Sequence, residues 1–100
     1  MAKFELPIYN ENDEVIKTVK RNFIPVDLFI RFQQLAEKIA GEKFKNDKEM
    51  FAEIQKLFLE AFPALTADEF KNNIDLAQIL YTINDIVSRA AKFEGSSKNV

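Results

Sequence analysis

The sequence contains no cysteine, no histidine and no tryptophan, and it has only two glycines and three prolines among 100 residues. The absence of cysteine excludes disulfides and thiolate metal sites. The absence of histidine removes the base that usually activates a nucleophilic serine, so Ser88, Ser96 and Ser97 have no imidazole partner. The two solitary glycines, Gly41 and Gly95, form no phosphate-binding loop. We therefore predict no catalytic residue, no cofactor, no metal site and a protein that is not an enzyme.

Long apolar runs and a strong charge of one sign are missing as well. No stretch approaches the ~18 apolar residues of a membrane span, and the first residues, MAKFELP, lack the apolar core of a signal peptide. The net charge is -2 and the pI is about 5.2, whereas nucleic-acid binders usually carry a basic patch or a high pI. The densest basic run, KTVKR at residues 17–21, is expected to be the solvated face of a strand. We expect no membrane association and no nucleic-acid partner.

Carboxylates are the only plentiful acid–base groups, and two stretches carry them in suggestive positions. Asp68 and Glu69 are neighbours in the first turn of a predicted helix, where carboxylates cap the helix and match its dipole. The stretch NENDEV, residues 10–15, has oxygen-bearing side chains at alternating positions, as a calcium loop has. However, Val15 stands where such a loop requires glycine, and Arg21 stands where it requires glutamate. We expect a helix cap in the first stretch and a plain hairpin loop in the second.

The length and the apolar pattern predict one mainly α-helical (α+β) domain. The stretch KFELPIY alternates, so that Phe4, Leu6 and Ile8 share one face, and the β-branched stretch VIKTVKRNF follows after a polar turn. These segments predict a β-hairpin over about residues 3–23. Pro7 lacks an amide donor and favours an edge strand. A two-stranded hairpin is marginal in water, so it must pack on the helices or pair with another chain.

Three longer helices and one short helix are predicted after the hairpin. Pro25 near its start and Gly41 beyond its end bound the first helix. Thr66 and Glu69 have the spacing of a capping box and start the short helix, and Asp75 can cap the last one. The apolar faces of the three longer helices are Leu28, Phe29, Phe32, Leu35, Ala36 and Ile39; Met50, Phe51, Ile54, Leu57, Phe58 and Ala61; and Leu76, Ile79, Leu80, Ile83, Ile86, Val87 and Ala90.

Four apolar residues fall outside these faces and are the candidate protein-binding residues. At ~100° per residue, Ile30 lies roughly opposite the stripe of the first helix, Leu59 lies nearly opposite Met50 on the second, and Tyr81 lies off the main face of the last. Phe44 lies in the linker between the first two longer helices. A compact bundle that buries some of them is one interpretation, since single exposed apolar residues are normal. The other interpretation is a contact with another subunit or with an apolar segment of a partner.

Three stretches, in this order of elements, carry a resemblance to a known family. They are IQKLFLEAF at residues 54–62, LTADEF at residues 65–70 and IDLAQILYTINDIV at residues 74–87. The chain resembles the tail assembly chaperones of long-tailed phages and prophages of Gram-positive bacteria. The resemblance covers about residues 3–93 and consists of apolar positions and helix caps rather than of a signature motif.

The resemblance implies a non-enzymatic role. Such chaperones coat the long, aggregation-prone tape-measure protein until tail-tube subunits polymerise around it, and they are absent from the mature virion. The implied partners are the tape-measure protein and possibly the tail-tube protein, in the cytoplasm of the bacterial host. We also expect self-association, because a hairpin edge can pair with another chain. The alternative hypothesis is a small adaptor or regulatory binding module from a mobile element, based on the basic strand and the small helical body.

The polar C-terminal stretch EGSSKNV, residues 94–100, is predicted to be a disordered tail, so the predicted domain spans residues 1–93. The resembled family also makes a longer protein by ribosomal frameshifting near the end of the short gene. Ser97, Lys98 and Asn99 are compatible with a slippery heptamer of the form A-AAA-AAY. An ordinary linker remains the alternative interpretation of this stretch.

Overall fold

A computed structural model describes residues 4–41 and 47–98 of the chain. The described elements are the strands β1 (Phe4–Tyr9) and β2 (Val15–Arg21) and the helices α1 (Val26–Ala40), α2 (Asp47–Ala61), α3 (Ala67–Asn72) and α4 (Leu76–Lys98). The predicted fold class, an N-terminal hairpin followed by three longer helices and a short one, is confirmed. The final helix continues past residue 93 to Lys98, beyond the predicted end of the domain. The disorder of residues 94–100 stays a prediction.

The two strands form an antiparallel hairpin whose inner face closes the core. Phe4 pairs with Arg21, Leu6 with Val19 and Ile8 with Lys17, and one register shift lies between Ile8 and Tyr9. The inner residues of β1 are buried, as their alternation predicts. The hairpin therefore packs on its own helices.

The polar turn between the strands is closed by Asn10. Its side-chain oxygen accepts hydrogen bonds from the backbone N–H groups of Asn12 at 2.8 Å and Glu14 at 3.1 Å. Asp13 adopts a left-handed backbone with φ of 61°, a conformation that aspartate tolerates better than most residues. The stretch that superficially matches a calcium loop is thus an asparagine-closed hairpin turn.

The outer edge of β1 is joined to the helices. The backbone N–H of Tyr9 donates to the carbonyl of Asn73 at 2.8 Å, and the Asn73 side-chain amide donates to the carbonyl of Tyr9 at 2.7 Å. The side chain of Gln78 donates to the carbonyl of Glu5 at 3.4 Å. Pro7 alternates with these two β1 residues, so its missing N–H falls on this outer edge. Among the described residues, no backbone–backbone hydrogen bond joins the outer edge of β2 to another segment.

The core is organised around Phe58 of α2, which is completely buried. Its ring centroid lies 5.6 Å from that of Phe32 in an edge-to-face pair, 5.9 Å from that of Phe62 in a stacked pair, and 5.8 Å from that of Phe70. These rings join α1, α2, the segment after α2, and α3. The other buried hydrophobic residues are Phe4, Leu6, Ile8, Val19, Leu28, Leu35, Ile54, Leu57, Ala61, Leu65, Ile79, Ile83 and Ile86.

Predicted caps define two of the helix starts. The Thr66 hydroxyl accepts from the backbone N–H of Glu69 at 3.1 Å, and the Glu69 carboxylate accepts from the backbone N–H of Thr66 at 3.0 Å. This is the predicted capping box. The Asp75 carboxylate accepts from the backbone N–H of Ala77 at 3.0 Å at the start of α4. Within the described part of the chain, no helix has the length and apolarity to span a bilayer.

Candidate functional site

The basic run of β2 faces the helices more than the sequence suggests. Lys17 and Arg21 pair with the inner residues of β1, so their long side chains extend along the core to its polar rim. The Lys17 ammonium donates to Glu69 at 3.0 Å and to the carbonyl of Ala64 at 3.1 Å, and the Arg21 guanidinium donates to the carbonyl of Ala61. The run remains largely exposed, as expected, and the pairing register brings these two cations to the edge of the core, where they also bind the helices.

Glu69 of α3 forms an ion pair with Lys17 of the hairpin. The backbone N–H of Thr66 and then the Lys17 ammonium lower the pKa of Glu69 from its ordinary value of 4.5. The carboxylate is largely shielded, with 20% of its side chain exposed. The same carboxylate thus completes a helix cap and an ion pair; the ion pair needs its ionised form, and the backbone N–H of Thr66 favours that form.

The four candidate protein-binding residues have different positions. Ile30 is 44% exposed on α1, and Tyr81 is 69% exposed on α4. Leu59 of α2 is half-buried and packs against the core. Phe44 lies outside the described residues. The structure does not unite the described three in one site, and their role in binding stays a prediction.

Ile30 belongs to an exposed apolar surface that sequence reasoning described only in part. Val26, one helical turn earlier on α1, is 74% exposed, and Phe23 just before the helix is exposed as well. The guanidinium of Arg21 lies 5.3 Å from the centre of the Phe23 ring, within cation–π range. We call Phe23, Val26 and Ile30 the α1 surface. The i, i+4 spacing of Val26 and Ile30 is the sequence signal for it.

Tyr81 belongs to a second exposed surface at the start of α4. Leu76 is 49% exposed, and Leu80, one turn later, is similarly exposed. The sequence assigns both leucines to the core-facing stripe of the helix, which the structure corrects. That stripe is wider than α1, the main helical neighbour of α4, can cover. We call Leu76, Leu80 and Tyr81 the α4 surface.

A cleft of about 500 Å³ adjoins the α4 surface, between the first half of α2 and the α3–α4 turn. Its apolar wall includes Phe51 from α2, Ile74 from the turn and Leu76 from α4. Sequence reasoning did not predict this cleft, because Phe51 and Leu76 have the spacing of core positions and Ile74 lies in a turn between helices. The described lining residues are Lys48, Phe51, Ala52, Gln55, Phe70, Lys71, Ile74, Leu76 and Ile79.

The α1 and α4 surfaces are separated along the molecule. Phe29 near the start of α1 shares a surface depression with Ile86 and Arg89 of α4. The start of α1 therefore lies beside the middle of α4 rather than beside its beginning. The ten residues from Leu76 to Ile86 correspond to about 15 Å of helix axis. One copy of the protein thus presents two distinct apolar areas.

A comparison with protein-family models identifies the family to which this arrangement belongs. Residues 1–99 match the model described as "Phage tail chaperone protein". The chain belongs to this family of phage tail chaperones. A search of curated proteins and a search of solved structures each returned no significant match. The predicted resemblance to phage tail chaperones is therefore confirmed over nearly the whole chain, and the role that follows is tail assembly.

Proposed function

We propose that this phage tail chaperone binds the tape-measure protein and keeps it soluble while the tail tube polymerises. Membership of the phage tail chaperone family is the observation that carries the proposal. The exposed α1 and α4 surfaces support it, because contiguous exposed apolar residues are typical of protein-interaction sites. The chaperone acts in the cytoplasm of a Gram-positive host that carries the phage or prophage. It then leaves the assembly and is absent from the mature virion.

Two separated apolar areas suit a protein that coats a long partner. Each copy contacts one stretch of the tape-measure protein through one surface and leaves the other surface for a neighbouring stretch, a neighbouring copy or the tail-tube protein. A single small contact of this kind dissociates readily. Many contacts together bind strongly, because one bound site holds the neighbouring sites at a high effective concentration near the partner. Ile30, Tyr81 and Leu59 are the contact residues that we propose, together with Phe44.

Self-association is part of the proposal and is supported by the open edge of β2. Thr18 and Lys20 pair with Pro7 and Glu5 across the hairpin. The Glu5 carbonyl is directed away from β2, toward Gln78, so the opposing β2 residues direct their own backbone groups away from β1. An edge of this kind can pair with a second strand. Lys20 is a charged residue on this edge, and lysines on edge strands limit edge-to-edge aggregation between chains. We therefore propose small, defined oligomers.

Co-expression tests the proposed function. The tape-measure protein of the same phage is produced alone, with the wild-type chain, and with the Ile30→Ser or Tyr81→Ser variant, and its soluble fraction is measured. We expect the wild-type chain to raise the soluble fraction several-fold and each variant to raise it less. Gln33→Ser, an exposed polar change on α1, is the matched control and should behave as the wild type. An unchanged soluble fraction with the wild-type chain would refute the proposal.

A further inference from the structure

We infer that the cleft between α2, α3 and α4 binds a single amphipathic helix whose apolar stripe is flanked by acidic residues. This inference rests on the proposed function for the source of the helix, which is the tape-measure protein. The cleft is distinct from the other candidate residues that the structure describes, since Ile30, Leu59 and Tyr81 are not among its described lining residues. Its volume of about 500 Å³ lies within the range of ordinary binding sites.

The cleft has an apolar floor that continues onto exposed helix surface. Phe70 and Ile79 at its base are buried, Phe51 and Ile74 are half-buried, and Leu76 is exposed. Leu80 extends this apolar row one helical turn beyond the cleft. An occupant that follows the row makes contacts over two turns of α4, as the i, i+3/i+4 and i+7 anchors of a helix in a groove do.

The walls favour a helix over an extended strand. The described lining comes from α2, α3, α4 and the turn between the last two, and it contains no part of either strand. An extended segment would leave its backbone N–H and C=O groups without strand partners against the apolar floor, which is unfavourable. A helix satisfies its own backbone hydrogen bonds and presents only side chains.

The charge of the walls defines the flanks of the occupant. Lys48 on α2 and Lys71 on α3 are the charged side chains among the described lining residues. Neither of them takes part in an ion pair with another described residue. Two cations beside an apolar floor complement glutamate or aspartate on both sides of an apolar stripe.

The same two cations argue against a second copy as the occupant. A symmetric dimer formed across the cleft would apply the same surface on both subunits. The two lysines of one copy would then be brought close to the two lysines of the other, and like charges brought together across an interface are unfavourable. The cleft and the open edge of β2 therefore serve different partners.

Designed peptides test the inference by fluorescence anisotropy with the full chain. The first probe is an 18-residue helical peptide with leucines at i, i+3, i+4 and i+7 flanked by glutamates. The second carries lysines in place of the glutamates, and the third has the composition of the first in scrambled order. We expect the acidic peptide to bind, the basic peptide to bind at least roughly fivefold more weakly, and the scrambled peptide not to bind.

Variants assign the binding to the cleft. Leu76→Ser, at an exposed position, should weaken binding of the acidic peptide, and the double variant Lys48→Glu/Lys71→Glu should reverse the preference between acidic and basic peptides. Lys20→Glu/Lys56→Glu makes the same change in net charge outside the cleft and should keep the preference. Equal binding of all three peptides, or a preference that the cleft variants leave unchanged, would overturn the inference. If the wild type binds no peptide and Leu76→Ser converts an oligomer into a monomer, the inference is overturned. The cleft would then be an interface with a second copy of the chain.

The co-expression assay separates this inference from the proposed function. If the wild-type chain solubilises the tape-measure protein and Leu76→Ser does so equally well, the function stands and the cleft inference fails. If the wild-type chain gives no solubilisation, the function fails, and the peptide experiment still decides whether the cleft binds an acidic amphipathic helix. Ile16→Ser removes an exposed apolar side chain that lies outside the α1 surface, the α4 surface and the described lining of the cleft, and it is the matched control for Leu76→Ser.

Discussion

Phe58 and Leu59 are neighbours on α2 that differ in burial, and substitution of each by alanine tests the different roles that we propose for them. Phe58 is fully buried and its ring contacts three other phenylalanine rings at centroid distances of 5.6 to 5.9 Å. Leu59 is half-buried at the edge of the core. Both positions lie within the same helix and alanine favours helices, so neither substitution to alanine should destabilise α2 through helix propensity.

The magnitude for Phe58→Ala follows from its burial. Removal of a buried phenylalanine side chain costs roughly 3–5 kcal/mol, which includes the cavity left behind. The three ring pairs place the expected loss in the upper half of this range, since each adds about 0.5–1.5 kcal/mol beyond burial. For a domain with about 5–15 kcal/mol of total stability, this is a large fraction. For Leu59→Ala we expect a smaller loss, of about 1–2 kcal/mol, because part of the side chain is already in contact with water.

Urea unfolding followed by circular dichroism at 222 nm is the suitable assay, because the chain has no tryptophan to report by fluorescence. Equal slopes of the free energy of unfolding against urea concentration show that only stability has changed. Phe58→Leu, which keeps most of the volume and loses the ring, should fall between the wild type and Phe58→Ala. A loss below about 1.5 kcal/mol for Phe58→Ala with an unchanged slope would contradict the four-ring core. Leu59→Ala should instead reduce solubilisation of the tape-measure protein.

Two further predictions concern charge and assembly. Glu69→Gln keeps the capping box, which accepts glutamine, and removes the charge that Lys17 and the Thr66 N–H stabilise. Because the pKa of Glu69 is lower in the folded chain, the stabilisation is present above the ordinary value of 4.5 and is lost as the pH falls through the folded pKa. The wild type should therefore exceed Glu69→Gln in free energy of unfolding at pH 7, by up to about 1 kcal/mol, and the difference should shrink as the pH falls through the folded pKa; an equal difference at every pH would be evidence against the linkage. Sedimentation velocity over a range of concentrations should show self-association that Thr18→Pro reduces at the open β2 edge, and a monomer at every concentration would contradict it.

The features that the sequence predicts correctly depend on local signals. Thr66 and Glu69 form their capping box because both partners lie within one turn of helix. Phe4, Leu6 and Ile8 are buried because strict alternation leaves a strand only one apolar face. In these cases the physical cause is contained in a few consecutive residues, so no knowledge of the tertiary fold is required.

The features that the sequence does not predict depend on which face of a helix or strand is covered by another element of the fold. Leu76 and Leu80 have the spacing of core residues, and they are exposed because α4 carries a wider apolar stripe than its neighbours cover. Lys17 has the spacing of a strand-surface cation, and it reaches Glu69 because the register turns it toward α3. How much of a helix's apolar stripe is covered, and which way a strand residue faces, depend on contacts between residues that lie about 50 positions apart in the sequence. The cleft itself is a space between three elements and has no signal in any one of them.

The small size of the exposed surfaces implies weak binding per copy, which suits the reversible binding that we propose for this chaperone. A fully buried Leu or Ile side chain contributes about 1.5–3 kcal/mol. Leu76 and Leu80 of the α4 surface are already about half-buried within their own chain, and Tyr81, which is 69% exposed, carries a polar hydroxyl. Their complete burial by a partner therefore adds only roughly 1 kcal/mol each, or about 3 kcal/mol together. That corresponds to a dissociation constant of about 1 mM or weaker, before the loss of translational freedom on binding is subtracted. Under the proposed function, one copy cannot therefore hold a tape-measure protein through this surface alone. The proposal then requires the cleft, the second surface and neighbouring copies to act together, so that the loss of a few copies weakens the binding of the rest.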